Sequence, residues 1–211
     1  MSLETIYEAV LNGDAQAAEA ETKTALETDV PPADILHKAC IPAMTKVGEL
    51  FEAVEKFVPE MLISARAMQA AMTILKPRLI DAGVESLGKV VIGTVAGDLH
   101  DIGKNLVSMM LEGAGFEIVD LGTDVSADQF IEAIQENEPQ IVGMSALLTT
   151  TMTSIGSTID AIKGAGLRDK VKILIGGAPV TQDFATKVDA DGFAPDAGSA
   201  ARVAKSVLGV A

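Results

Sequence analysis

The chain has 211 residues, no tryptophan, one cysteine and a formal net charge of −14 at pH 7. Its length suits one or two domains, each with a core of its own, and a lone cysteine excludes an intramolecular disulfide and fits a reducing cytoplasm, with Cys40 read as a small core residue. The negative charge is split evenly, −7 over residues 1–85 and −7 over residues 86–211, which argues against nucleic acid or an anionic membrane as partner, since both need a basic surface.

The opening stretch, MSLETIYEAVLNGDAQ, has no basic run followed by an apolar one. No segment approaches the roughly 18 apolar residues that span a bilayer, so a soluble chain is expected. Through the first half, apolar positions recur at three and four, the helical period. Asn12-Gly13-Asp14 breaks the first helix and offers Asp14 as the cap of the second. Pro31-Pro32 opens a third, which is expected to run past Pro42 with a kink and end near Phe51. A fourth starts around Pro59 and carries Met61, Leu62, Ala65, Met68, Ala71, Met72 and Leu75 on neighbouring faces. Residues 1–86 therefore read as a four-helix bundle.

The period changes after DAGVESLG, residues 81–88, a segment with two glycines and little apolar content that marks a domain boundary. Runs rich in β-branched residues, Lys89 to Val95, Glu117 to Leu121, Gln140 to Ser145 and Val171 to Ile175, alternate with helical segments. A weaker strand at Gly192 to Ala194 precedes a last helix from Ala197 to Leu208. Five such βα units over residues 87–211 predict a doubly wound, five-stranded parallel sheet, an α/β domain of Rossmann-like or flavodoxin-like type.

In an open parallel sheet, ligands lie beyond the carboxyl ends of the strands. Three of the loops there are unusual: Gly97-Asp98-Leu99-His100-Asp101-Ile102-Gly103 after the first strand, Ser145-Ala146-Leu147-Leu148-Thr149-Thr150-Thr151 after the third, and Gly176-Gly177-Ala178-Pro179 after the fourth. His100 is one of two histidines and stands two residues from Asp98. An imidazole can ligate a metal through one nitrogen while the other donates to a carboxylate, which fixes the tautomer. Structural zinc wants three or four protein ligands, and this loop offers one imidazole among carboxylates. Neither the dinucleotide fingerprint nor a Walker-type loop follows the first strand, so nucleotide binding loses its support.

Together these loops resemble the cobalamin-binding domain shared by methionine synthase, the corrinoid proteins of methanogens and acetogens, and several mutases. The resemblance rests on Asp98-x-His100-x-x-Gly103, then after 41 residues Ser145-x-Leu147, then after 28 more Gly176-Gly177. It extends to the helical half, where Gly48-Glu49-Leu50-Phe51 through Phe57-Val58-Pro59-Glu60-Met61 and Ser64-Ala65-Arg66-Ala67-Met68 look like the helical cap of the methyl carriers. That second match separates carriers from mutases, and the two together cover essentially the whole chain.

The resemblance implies a cobalamin, in its methylated form methylcobalamin, bound base-off with His100 as lower ligand to cobalt. It places Gly97, Asp98, Leu99, Asp101, Ile102 and Gly103 around that ligand, Ser145, Leu147, Gly176 and Gly177 along the nucleotide tail, and Thr149 and Ala197 among the further cofactor contacts. Thr151 matches the serine that ends a His-Asp-Ser relay, its extra methyl leaving the geometry to be seen, and Phe51, Val58 and Met61 match apolar cap residues over the methyl face. The implied role is non-catalytic on its own: a methyl carrier in the cytoplasm, serving a substrate-specific methyltransferase and a second corrinoid-dependent methyltransferase with a tetrahydrofolate or thiol acceptor, and reset by a reductive activator. Methylamines, methanol, betaine and methoxyaromatics are alternative donors. A cobalamin-dependent regulator would need an output module and a basic surface, and a mutase small subunit would lack the helical half.

Overall fold

Asp14 caps its helix as the sequence predicts, accepting the Ala17 N–H at 2.9 Å, and four helical rods follow the spacing of the apolar residues. The computed structural model describes residues 3–210. Contacts divide the chain into a helical unit running to Ser86 and an α/β unit from Leu87 onward, the short segment Gly113–Gly115 grouping with the former.

The helical unit comprises α1 (Leu3–Asn12), α2 (Ala15–Glu27), a third rod built from α3 (Pro32–Ile35) and α4 (Ile41–Glu52), and α5 (Val58–Asp81). The kink expected at Pro42 takes the form of a π-helical turn, Leu36–Cys40, between α3 and α4. Proline has no N–H and its ring crowds the carbonyl one turn back, and widening the helix by one residue there relieves both problems. Gly13 sits at φ +78, where a Cβ would meet Ile63 Cγ1 at 2.6 Å, so this turn needs glycine for conformation and for space. At the start of α5 the Glu60 carboxylate accepts the Phe57 N–H at 3.0 Å. Met61, Ala65, Met68, Ala71, Leu75 and Leu79 then form its buried stripe. Ser64 Oγ and Lys56 Nζ both donate to the carbonyl of Leu11, at 3.0 and 2.8 Å, and so satisfy the end of α1. Cys40 is a buried free thiol whose pKa burial pushes up to about 12.

In the α/β unit the strands β1 (Lys89–Thr94), β2 (Glu117–Asp120), β3 (Ile141–Ser145), β4 (Lys172–Gly176) and β5 (Gly192–Ala194) are all parallel, in the order β2-β1-β3-β4-β5. Helices α6 (Ile102–Gly113), α7 (Ala127–Asn137), α8 (Met152–Gly164), α9 (Gln182–Lys187) and α10 (Ala197–Leu208) complete the winding. The central strands read as near-continuous apolar runs because both their faces are covered: Val91, Val142 and Ile173 pack with Phe130, Ile155 and Ile159 from the helices. Five strands of this connectivity are the Rossmann-like arrangement expected from the sequence. From β1 the chain turns first to β2 on one side and then crosses to β3 on the other. That reversal opens a crevice at the carboxyl ends of β1 and β3.

Candidate functional site

Parallel register aligns the last residues of the strands into one row, Thr94, Ser145, Gly176 and Ala194, along the carboxyl edge. The loops that leave this row carry the residues of interest. Asp98 has no exposed surface. Its Oδ1 accepts the backbone N–H of His100 at 3.1 Å and pairs with His100 Nδ1 at 2.7 Å. Its Oδ2 accepts the hydroxyl of Thr151 at 2.6 Å and the N–H groups of Leu147 and Leu148 at 2.7 and 3.4 Å. Burial by itself would push this carboxyl up. The hydrogen bonds from Thr151, Leu147 and His100 outweigh it and hold the group well below the usual carboxylate range. A buried anion is thus fully paired, and it joins the loop after β1 to the loop after β3.

Ionised Asp98 can only accept, so Nδ1 of His100 carries a proton, and in the neutral ring Nε2 is the nitrogen with a free lone pair. The imidazole is 51% exposed. Around it, Leu99 and Ile102 are 73% and 75% exposed, and Leu147 and Leu148 42% and 43%. Three large apolar side chains bared on the two loops, and Ile102 at the start of α6, flank one histidine and form an apolar seat open to a ligand. Among the described residues no three His, Cys, Asp or Glu side chains converge to hold a metal ion. A metal on Nε2 would therefore bring most of its ligands with it, and a macrocycle whose apolar edges rest on these side chains fits both observations.

Gly176 and Gly177 differ in what they require. A Cβ on Gly176 would approach the Ala194 carbonyl to 3.3 Å, whereas one on Gly177, at φ +126, would lie 1.8 Å from the Ala146 carbonyl oxygen. Only glycine lets the loop after β4 lie against the loop after β3 at that point. The methyl group of Thr151 faces Gly97, 3.7 Å from where a Cβ would stand, so it is housed without moving the hydroxyl off Asp98.

Direct bonds bring Asp98, His100, Leu147 and Thr151 together. Gly97, Asp101 and Thr149 lie exposed on the same loops, Gly103 is exposed in the first turn of α6, and Ser145 is half-buried in the edge row. Ala197 is buried in the first turn of α10, which Asp196 caps through the Ser199 N–H at 2.8 Å. Phe51, Val58 and Met61 belong to the helical unit, the first two half-buried and Met61 one of its most buried side chains.

Sequence reasoning passed over two supports of the histidine loop. Thr94 is fully buried and its hydroxyl donates to the carbonyl of His100 at 2.9 Å. Asp124, at φ 55, accepts the Gly97 N–H at 2.7 Å and donates its own N–H to the Asp98 carbonyl at 3.0 Å. Thr94 is hidden in a strand as an ordinary β-former. Asp124 carried a faint signal, since Asp tolerates the left-handed region better than most residues.

With this geometry in view, the chain matches the B12 binding domain family over residues 88–203, and a second B12 binding domain family over residues 2–76. It is 41% identical to the trimethylamine corrinoid protein of Methanosarcina barkeri over 205 residues, 96% of this chain and 94% of that one. The chain belongs to the B12-binding corrinoid proteins. Among solved structures of such corrinoid proteins, a cobalamin-binding protein from Desulfitobacterium hafniense DCB-2 superposes with a TM-score of 0.83 at 35% identity, covering 98% of both chains. A chain of the methanol:cobalamin methyltransferase complex MtaBC from Methanosarcina barkeri gives 0.84 at 29% identity, over 98% of this chain and 79% of that one. This corrinoid protein joins a Rossmann-like, cobalamin-binding domain to an N-terminal helical bundle. No helix among the described residues is long and apolar enough to cross a membrane.

Proposed function

We propose that this corrinoid protein is a methyl carrier that holds its cobalamin base-off, with His100 Nε2 as the lower axial ligand, and is methylated and demethylated by separate partner enzymes. The observation that carries this reading is the orientation of one ring: Asp98 occupies Nδ1 at 2.7 Å, which leaves Nε2 for a metal. Bound here, the corrin-held cobalt would supply a reduced, nucleophilic centre able to accept a methyl group and give it up again.

The protein's share of the work is proton placement and orientation. Asp98, anionic and held by Thr151 and Leu147, stabilises a proton on Nδ1 and keeps the ring in the ligating tautomer. Asp98, His100 and Thr151 form a hydrogen-bonded chain along which a proton can enter or leave as the ligand's basicity changes. The row of Ser145, Gly176 and Ala194, with Gly177 and Ala197 beyond it, would line the path of the nucleotide tail.

A substrate-specific methyltransferase would load the carrier. A second methyltransferase would pass the methyl group to a tetrahydrofolate or a thiol, and a reductive activator would restore the low-valent metal. The relatives are named for trimethylamine and for methanol. A one-carbon donor of that kind, chosen by the partner enzyme, is the reading adopted.

Full-length protein reconstituted with hydroxocobalamin and reduced to Co(II) tests the assignment by electron paramagnetic resonance. Nitrogen splitting from one axial imidazole is expected, and His100→Gly abolishes it. A spectrum unaltered by that substitution defeats the reading.

A further inference from the structure

Lys104 stands four residues beyond His100 in α6, and its side chain is 2% exposed. Burying an ammonium is costly, and as a device for stability alone an apolar residue of the same length does as well. What the charge adds is direction. Lys104 Nζ donates to the Asp120 carboxylate through Oδ2 and to Asn105 Oδ1, the latter at 2.7 Å, and the ammonium charge strengthens both bonds.

Those bonds close a ring around the histidine. Asp120 ends β2, and its Oδ1 accepts the Gly122 N–H at 2.9 Å. The Gly122 carbonyl accepts the Thr94 N–H at 2.9 Å, and the Thr94 hydroxyl donates to the His100 carbonyl at 2.9 Å. The chain from His100 into the first turn of α6 completes the circuit at Lys104. A second arm runs from Lys104 through Asn105, whose Nδ2 donates to Asp101 Oδ2 at 3.2 Å, to the residue next to the histidine.

We propose that Lys104 is a positioning residue for the axial ligand: through Asp120 and Asn105 it fixes the start of α6, and with it the placement of the His100 ring for coordination. This rests on the assignment of His100 as ligand.

The test is a double-mutant cycle on cofactor affinity. Full-length apoprotein is titrated with hydroxocobalamin as the native chain, Lys104→Met, His100→Gly and the two combined. Lys104→Met is expected to raise Kd about tenfold, at the low end for a partner behind a metal ligand. In the His100→Gly background it is expected to change Kd by less than about twofold, because the bond it serves is gone. The Co(II) spectrum of Lys104→Met should show a smaller nitrogen-coordinated fraction. Equal losses in both backgrounds would mean that the pair merely holds the unit together, and would overturn the proposal.

Where Lys104→Met fails to fold, Lys104→Met with Asp120→Leu removes both charges and carries the same expectation. Failure of both to fold makes the pair part of the scaffold and also overturns it. If His100→Gly itself leaves affinity and spectrum unchanged, the ligand assignment has failed and this inference with it. If only the Lys104 variants are silent, the assignment stands and the inference alone falls.

Discussion

At the amino ends of the sheet, Asp191 gathers Arg168 at 2.8 Å, Lys172 at 3.3 Å and the Ile173 N–H at 2.8 Å, while Arg168 also donates to the carbonyl of Asp189 at 2.7 Å. At the carboxyl ends, Asp98 is sealed from solvent, and the one ionisable group it touches is an imidazole that is half in water. The first arrangement joins full charges that keep some contact with solvent, 17% and 18% for Arg168 and Asp191. It stitches β4 to β5, and any well-placed pair would serve. The second brings three backbone N–H groups, a hydroxyl and an imidazole to a single carboxylate and leaves one ring nitrogen unused. A charge built only to secure the chain has no reason to face a half-exposed histidine, so the difference between the ends separates scaffold from site.

The largest expected effect lies at the sealed end. Asp98→Ala leaves the Leu147 and His100 N–H groups without their acceptor, and the Thr151 hydroxyl with only the Leu148 carbonyl, and is expected to cost about 3 kcal/mol. Asp191→Ala, beside partners that water can reach, is expected to cost about 1 kcal/mol. Denaturant unfolding of the two variants compares them directly, and equal costs would erase the contrast. Acid sharpens it. The folded-state pKa of Asp98 is depressed, so its stabilising contribution is fully present above the unfolded carboxyl value of roughly 4 and is lost as the pH falls below that. Unfolding free energy of the native chain should therefore drop more steeply between about pH 4 and pH 2 than that of Asp98→Ala. Parallel slopes would show that the hydrogen bonds around Asp98 do not favour its charged form.

The same contrast bears on what the sequence could disclose. Strand β5 and helix α10 occupy the residues expected of them, and β1 to β4 lie within a residue or so of expectation, because β-branched runs alternating with helical periods leave few other foldings. The local bond from Asp98 to His100 could be anticipated from a spacing of two. The bond from Asp98 to Thr151 could be expected only through the resemblance to a His-Asp-Ser relay, and the bond to Leu147 not at all, since both cross about fifty positions of chain and depend on which strands become neighbours. Thr94 and Lys104 stayed invisible, and Asp124 nearly so, for a related reason. Each looks unremarkable in its own segment, and its work appears only when β1, β2 and α6 are set side by side. At Pro42 a kink was foreseeable, but its form as a π turn depends on how the carbonyls of one preceding turn are shared.

The smallest effect on stability is expected where the apolar seat meets solvent. Ile102, 75% exposed at the first position of α6, contributes little to folding, and Ile102→Ser should alter the unfolding free energy by no more than about 0.5 kcal/mol. Its effect on cofactor binding should be out of proportion. If a macrocycle seated on His100 covers that side chain, losing the contact removes about 1 kcal/mol of apolar burial, roughly a fivefold rise in Kd for hydroxocobalamin. An equally exposed apolar residue on the helical unit, Ile80 at 67%, provides the matched control, since Ile80→Ser changes the surface by a similar amount at the far end of α5. A residue that matters for affinity and not for stability belongs to the ligand's surface. Equal insensitivity of both variants would place the corrin ring elsewhere on the chain.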